Sequence, residues 1–159
     1  MTVQLRTPTT DEIERVAAIW HAGWRDGHLG FVPDELLAHR TLPTFVARVR
    51  ERLDEFVVAR VDAEVAGFVV VADDEVEQIY VDGAHRGSGV ADTLMSHALD
   101  TIATSGHDRA WLAVVGGNER ARAFYAKQGW TDEGPFTYAA ATASGAFDLV
   151  AHRYARPLR

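Results

Sequence analysis

The sequence predicts an α/β (or α+β) domain built on a mixed β-sheet. Three observations lead there. Short β-branched runs at 56–61, 65–72 and 75–81 follow one another across turn residues. A segment of helical spacing comes next, with apolar Val90, Leu94, Ala98 and Ile102. It leads into a short apolar run, Trp111–Val115, and a strand–helix–strand passage of this kind joins parallel strands.

Taken in order, Val3–Arg6 reads as a short strand. Thr10 or Asp11 then caps a helix to about Trp24, with Ile13, Val16, Ala17, Trp20 and Trp24 on one stripe. A glycine-containing loop, Asp26–Pro33, leads to helical stretches around 34–39 and 43–53. Asp62, Ala63 and Glu64 make a tight turn between the runs at 56–61 and 65–72, which gives a hairpin. Gly89 to about Ser105 is a helix buried on one side. Asn118 opens another as its N-cap. Gly129 closes that helix in the position after the C-cap, and Trp130 supplies the accompanying apolar contact. The remainder reads as two strands around a turn at 139–146.

With 159 residues the chain is read as one domain. It contains no cysteine, which excludes a disulfide framework, a thiolate metal site and thiol catalysis. No charged-then-apolar stretch opens the chain and no long apolar run interrupts it, so a cytoplasmic protein without a membrane segment is expected. A net charge of −7 argues against nucleic-acid binding and leans towards cationic partners such as amines. The histidines show no metal-binding spacing, so a metal-free protein is expected.

The sharpest local feature is His85-Arg86-Gly87-Ser88-Gly89-Val90-Ala91, between a strand and an amphipathic helix. Glycines there let a ligand approach the backbone, and the turn aims free N–H groups outward at the positive end of a helix dipole. That is an anion site suited to phosphate, with Arg86 as a charged donor beside it. A P-loop would require Gly-Lys-Ser/Thr at the end of the turn, which is missing. A dinucleotide fingerprint would require a third small residue where Asp92 stands.

Arg86-Gly87-Ser88-Gly89-Val90-Ala91 resembles the Arg/Gln-x-x-Gly-x-Gly/Ala signature of the GNAT superfamily of N-acetyltransferases. Ile79-Tyr80-Val81-Asp82 resembles that family's pantetheine-carrying strand, and Asn118 to Trp130 its second cofactor motif. One departure is Gly83, where the family often has proline. The resemblance covers most of the chain. It implies a mostly antiparallel central sheet with helices on both faces and a parallel βαβ crossover at the cofactor site. It also implies acetyl-CoA at Arg86, Gly87, Ser88, Gly89, Val90 and Ala91, with Ile79 and Val81 along the pantetheine. Asn118 would lie near the pantetheine, Tyr125 near the thiol, and a backbone N–H near Val81 would meet the oxyanion. Dimers are frequent among proteins of this resemblance.

Amine acetylation by a thioester requires a base, an oxyanion donor and an acid for the leaving thiolate. Asn118 and Tyr125 lie seven positions apart, about two helical turns, and face the same way, which suits Tyr125 as the acid. Glu75, or else Glu77, is the candidate base, with an ordered water as the alternative. The acceptor pocket is expected between the first helices and the C-terminal strands, with Trp24, His28, Phe31 and Tyr138 as candidate contacts. The acceptor is open among small amines, amino acids, aminoglycoside-like compounds and peptide amines. A non-catalytic acyl-CoA sensor with the same fold is the alternative function.

Overall fold

The computed structural model describes residues 2–158. Its strands are β1 (Val3–Arg6), β2 (Phe56–Val61), β3 (Glu64–Ala72), β4 (Glu75–Val81), β5 (Arg109–Val114), β6 (Thr131–Thr142) and β7 (Gly145–Pro157). Its helices are α1 (Ile13–His28), α2 (Asp34–Leu37), α3 (Leu42–Glu51), α4 (Val90–Thr104) and α5 (Glu119–Lys127). The strands form one seven-stranded sheet in the order β1-β2-β3-β4-β5-β7-β6. Every neighbouring pair is antiparallel except β4 and β5, which are parallel.

The β2–β3 hairpin turns through Asp62 and Ala63, both at positive φ (52° and 66°), and Arg60 fastens the turn by donating to the Ala63 carbonyl at 2.6 Å. Two positive-φ residues give the twist that a two-residue hairpin needs. β3 is buried on both faces, which is why its sequence is a nearly unbroken apolar run. On one face Phe56, Val58, Phe68 and Val70 pack against α1 and α3, with Trp20 at the centre. The Trp20 ring lies 4.9 Å from Phe45 and 5.7 Å from both Phe56 and Phe68. On the other face Ala59, Val61, Ala66 and Val69 meet Val90, Leu94, Met95, Ala98 and Ile102 of α4.

Helix α1 differs from the sequence reading. It continues past Trp24 to His28, through Gly23 and Gly27. These glycines are places of close approach rather than stop signals. A Cβ on Gly23 would stand 2.4 Å from the Tyr80 ring, and one on Gly27 would stand 2.6 Å from Asn118 Nδ2. Tertiary packing outweighs their poor helix propensity.

Two features of β4 position the site. The pairing of β3 with β4 runs Val70↔Gln78 and then Val71↔Val76, so Glu77 is the extra residue of a β-bulge. Beside β5, β4 makes a single bridge, Glu75↔Trp111, secured by Trp111 N–H to the Asp74 carbonyl at 3.1 Å. Trp111 Nε1 also donates to Asp74 Oδ1 at 2.9 Å. Beyond that point β5 pairs only with β7. The rest of β4 therefore faces a gap.

Leu94 is fully buried, and its Cδ1 lies 3.2 Å from where a Cβ on Gly67 would stand. Leu94→Ala should cost about 2–5 kcal/mol of stability, read as a lower urea midpoint with an unchanged slope.

Candidate active site

The gap between β4 and β5 is a cavity of about 550 Å³, within the range of small-ligand sites. Its walls are residues 76–81 of β4 and 112–115 at the end of β5. They continue into the second half of α1, the glycine turn, α5 and the β6–β7 pair. No group of three or more His, Cys, Asp or Glu among the described residues could hold a metal ion.

At one end lies the glycine turn. Gly87 and Gly89 have φ of +76° and +89°, a left-handed conformation that side-chain-bearing residues rarely take. Gly89 caps α4. The Arg86 N–H donates to the Gly83 carbonyl and the Thr93 N–H to that of Gly89, while none of the amides of residues 87–92 donates to another backbone group among the described residues. Orphan donors at a helix start form an anion cradle. Arg86, Gly87, Gly89 and Ala91 line the cavity. Val90 instead buries its side chain in the core, and the Ser88 hydroxyl donates to the His85 carbonyl. The Arg86 guanidinium is tied to Asp26 of α1 at 3.0 Å. Asp92 lies at the cavity edge, where Gln128 holds its carboxylate at 2.5 Å.

Helix α5 forms a second wall. The Asn118 side chain accepts the Ala121 N–H at 3.2 Å, the predicted N-cap. At the other end Gly129 sits at φ +87°, with Gly129 N–H bonded to the Ala126 carbonyl and Trp130 N–H to that of Tyr125. This is a Schellman stop, and Trp130 stacks edge-on to Tyr125 at 6.2 Å. Asn118 and Tyr125 both line the cavity. The Tyr125 hydroxyl makes no hydrogen bond to any described residue, and burial alone pushes its pKa up to about 12.

The two candidate carboxylates differ. Both oxygens of Glu77 are engaged by Arg52, at 2.5 and 3.2 Å. Glu75 Oε2 accepts a hydrogen bond from the Tyr138 hydroxyl at 2.7 Å. Burial raises the Glu75 pKa above the ordinary glutamate range, the Tyr138 hydrogen bond opposing it, with Glu77 and Asp74 adding to the rise. Glu77 and Tyr138 line the cavity, and Glu75 stands behind Tyr138.

Of the expected acceptor contacts, Trp24 and His28 line the cavity and stack at 4.6 Å. His28 Nδ1 lies 2.8 Å from the Trp24 carbonyl, which can only accept, so Nδ1 carries the hydrogen. Burial depresses the His28 pKa to about 4, so the ring is neutral. Phe31 is placed elsewhere. It is exposed, and its ring covers Gly117, where a Cβ would stand 2.2 Å away. The sequence reading missed Tyr80, Arg40 and Arg48, all of which line the cavity. One signal was available: Arg48 lies on the stripe of α3 that also carries Phe45 and Val49, where a solvated charge would be out of place.

The profile of the family described as Acetyltransferase (GNAT) family matches residues 14–130. The chain belongs to the GNAT acetyltransferase family. An uncharacterised N-acetyltransferase of Mycobacterium tuberculosis (strain H37Rv) is 35% identical over 85 residues, covering 50% of this chain and 54% of that protein. The chain thus spans about half the length of the curated relatives it matches. Among solved structures, a GCN5-related N-acetyltransferase of Rhodopseudomonas palustris superposes with a TM-score of 0.74 at 20% identity, covering 99% of this chain and 96% of that one. The PaiA N-acetyltransferase of Thermoplasma acidophilum, in complex with coenzyme A, superposes with a TM-score of 0.69 at 18% identity, covering 99% of each chain. The expected GNAT fold, a mixed and mostly antiparallel sheet with helices on both faces, is the fold observed.

The half-buried Glu75 has a measurable consequence. Its raised pKa means that the folded state keeps this proton to higher pH than the unfolded chain does. Stability is therefore lost as pH rises from the ordinary glutamate value through the raised one. Glu75→Gln keeps an acceptor for Tyr138 and removes that cost. Its melting temperature relative to wild type should improve as pH rises above the ordinary glutamate value of about 4, and a difference that ignores pH would contradict the assignment.

Proposed function

We propose that this GNAT protein is an N-acetyltransferase that uses acetyl-CoA and acetylates an amine by direct attack in a ternary complex. The observation that carries this reading is the row of unused amides at residues 87–92, opening into a cavity that runs between β4 and β5 to Tyr125. The coenzyme A bound to the Thermoplasma acidophilum neighbour supports the same choice of cofactor.

The residues fit such a ligand. The amides of the glycine turn suit a pyrophosphate, with Arg86 as a charged flank. The edge of β4 beyond Glu75, including Ile79 and Val81, has no strand partner on the β5 side, so its backbone groups are free for pantetheine amides. Acetyl-CoA, when bound, supplies a thioester carbonyl carbon to the amine nitrogen and a sulfur that leaves.

The chain's own groups then handle the protons. Tyr138 receives a proton from the substrate ammonium at its hydroxyl oxygen and passes its own to Glu75 Oε2 across the 2.7 Å hydrogen bond. Burial raises the proton affinity of Glu75, which suits a base near neutrality. Glu77, held on both oxygens by Arg52, serves as a charged wall of the pocket. Tyr125 stays protonated throughout the physiological range and donates from its hydroxyl to the departing sulfur. Main-chain N–H groups near Val81 are the oxyanion donors.

Calorimetric titration of acetyl-CoA should show micromolar binding that Gly89→Glu abolishes, because the new carboxylate fills the anion cradle. Tyr125→Phe should bind acetyl-CoA yet lower kcat in a thiol-release assay by about a hundredfold. A folded wild-type protein that binds no acetyl-CoA would contradict the proposal.

A further inference from the structure

The acceptor side of the cavity has a charge pattern opposite to that of the whole chain. The net charge of −7 suggests a cationic partner. Yet Arg40 and Arg48 line the cavity, and neither makes an ion pair with any described residue. Arg40 is only 5% exposed. Its Nη1 reaches the His39 carbonyl at 3.1 Å, but its Nε is buried without a partner among the described residues. The Arg48 guanidinium rests 4.4 Å above the Trp20 ring and 5.9 Å from Phe45 and makes no hydrogen bond to the described residues. Burial and the neighbouring Arg40 depress its pKa to about 10, so it is still a cation at neutral pH.

The nearby carboxylate that would neutralise them is committed. Glu77 gives both oxygens to Arg52, which also holds Glu55. The indole Nε1 of Trp20, in the same wall, is likewise buried without a partner. The unmet groups here are all donors, and donors are completed only by acceptors. A buried guanidinium such as that of Arg40 is costly unless paired, Arg48 beside it is half-buried, and a planar two-oxygen anion matches the geometry of both. Arg40 and Arg48 belong to α3 and the turn before it, elements distinct from the glycine turn.

We propose that the acceptor is an amine that carries a carboxylate, a free amino acid or close analogue, with the carboxylate seated on Arg40 and Arg48 and the amine turned towards Tyr138 and Glu75. This rests on the acetyltransferase reading above and narrows its substrate class. Trp20, Trp24 and Leu36 give the remaining wall an apolar surface for the side chain. The local cations thus override the global charge in selecting the ligand.

The test compares matched acceptors in the wild-type protein by thiol release from acetyl-CoA: phenylalanine, phenylalaninamide and phenethylamine, and leucine with isoamylamine. The amino acids should exceed the amides and decarboxylated amines in kcat/KM by at least about tenfold, a charge-assisted hydrogen-bond effect. Calorimetry on the CoA-saturated protein should show the same order of affinities without turnover. Arg48→Gln should shrink the amino acid to amine ratio severalfold, and Arg48→Lys, which keeps charge but loses the planar fork, should fall between. Amines acetylated as well as or better than their amino acids would overturn this inference and leave the acetyltransferase standing. Bound acetyl-CoA with no turnover of any acceptor would count against the acetyltransferase reading itself, and this inference would fall with it.

Discussion

After Glu75 and Trp111 form their bridge, β4 and β5 share no further ladder, and the rest of the site depends on that parting. Parallel strands in a continuous sheet would bury their edges against each other and leave no room for a ligand. Here the Glu77 bulge and the bridge secured by Asp74 and Trp111 leave the outer half of β4 open along a cavity. The antiparallel strands on either side keep both banks rigid: β4 is held by β3, and β5 by β7. The unpaired groups of the sheet edge are thereby confined to the place where an extended ligand can complete them.

The walls of the cavity come from packing choices made far apart in the chain. Gly23 and Gly27 let α1 lie against Tyr80 and Asn118, so one helix closes the cavity against both β4 and the start of α5. Asn118 caps α5 while facing Gly27, which couples the position of Tyr125 to that of α1. On the opposite bank, the Tyr138–Glu75 hydrogen bond links β6 to the start of β4. The walls of the cavity are thus assembled from elements that each have an independent structural reason for their position.

Much of this was legible in the residues. The glycine turn was readable because positive φ at Gly87 and Gly89 and a following helix leave a distinct local pattern. The Asn118 cap and the Gly129 stop were readable for the same reason: both are short-range backbone requirements. The end of α1 was not, since a glycine in a helix looks like a terminator until the aromatic ring packed on it is known. Phe31, grouped with the acceptor residues by its place in the sequence, covers Gly117 instead, because a loop residue's neighbours are set by tertiary packing. Arg40 and Arg48 escaped notice because their meaning lies in missing partners, and a sequence does not state which carboxylate Arg52 has already taken. Net charge carries less local information, since it averages over the whole surface.

The most direct test of the account is a crystal structure of the protein with coenzyme A. The pyrophosphate should sit on the amides of residues 87–92, with the pantetheine along the open edge of β4 and the sulfur within hydrogen-bond reach of the Tyr125 hydroxyl. Coenzyme A bound outside the gap, or a β4–β5 ladder zipped along its full length with no ligand between the strands, would contradict it.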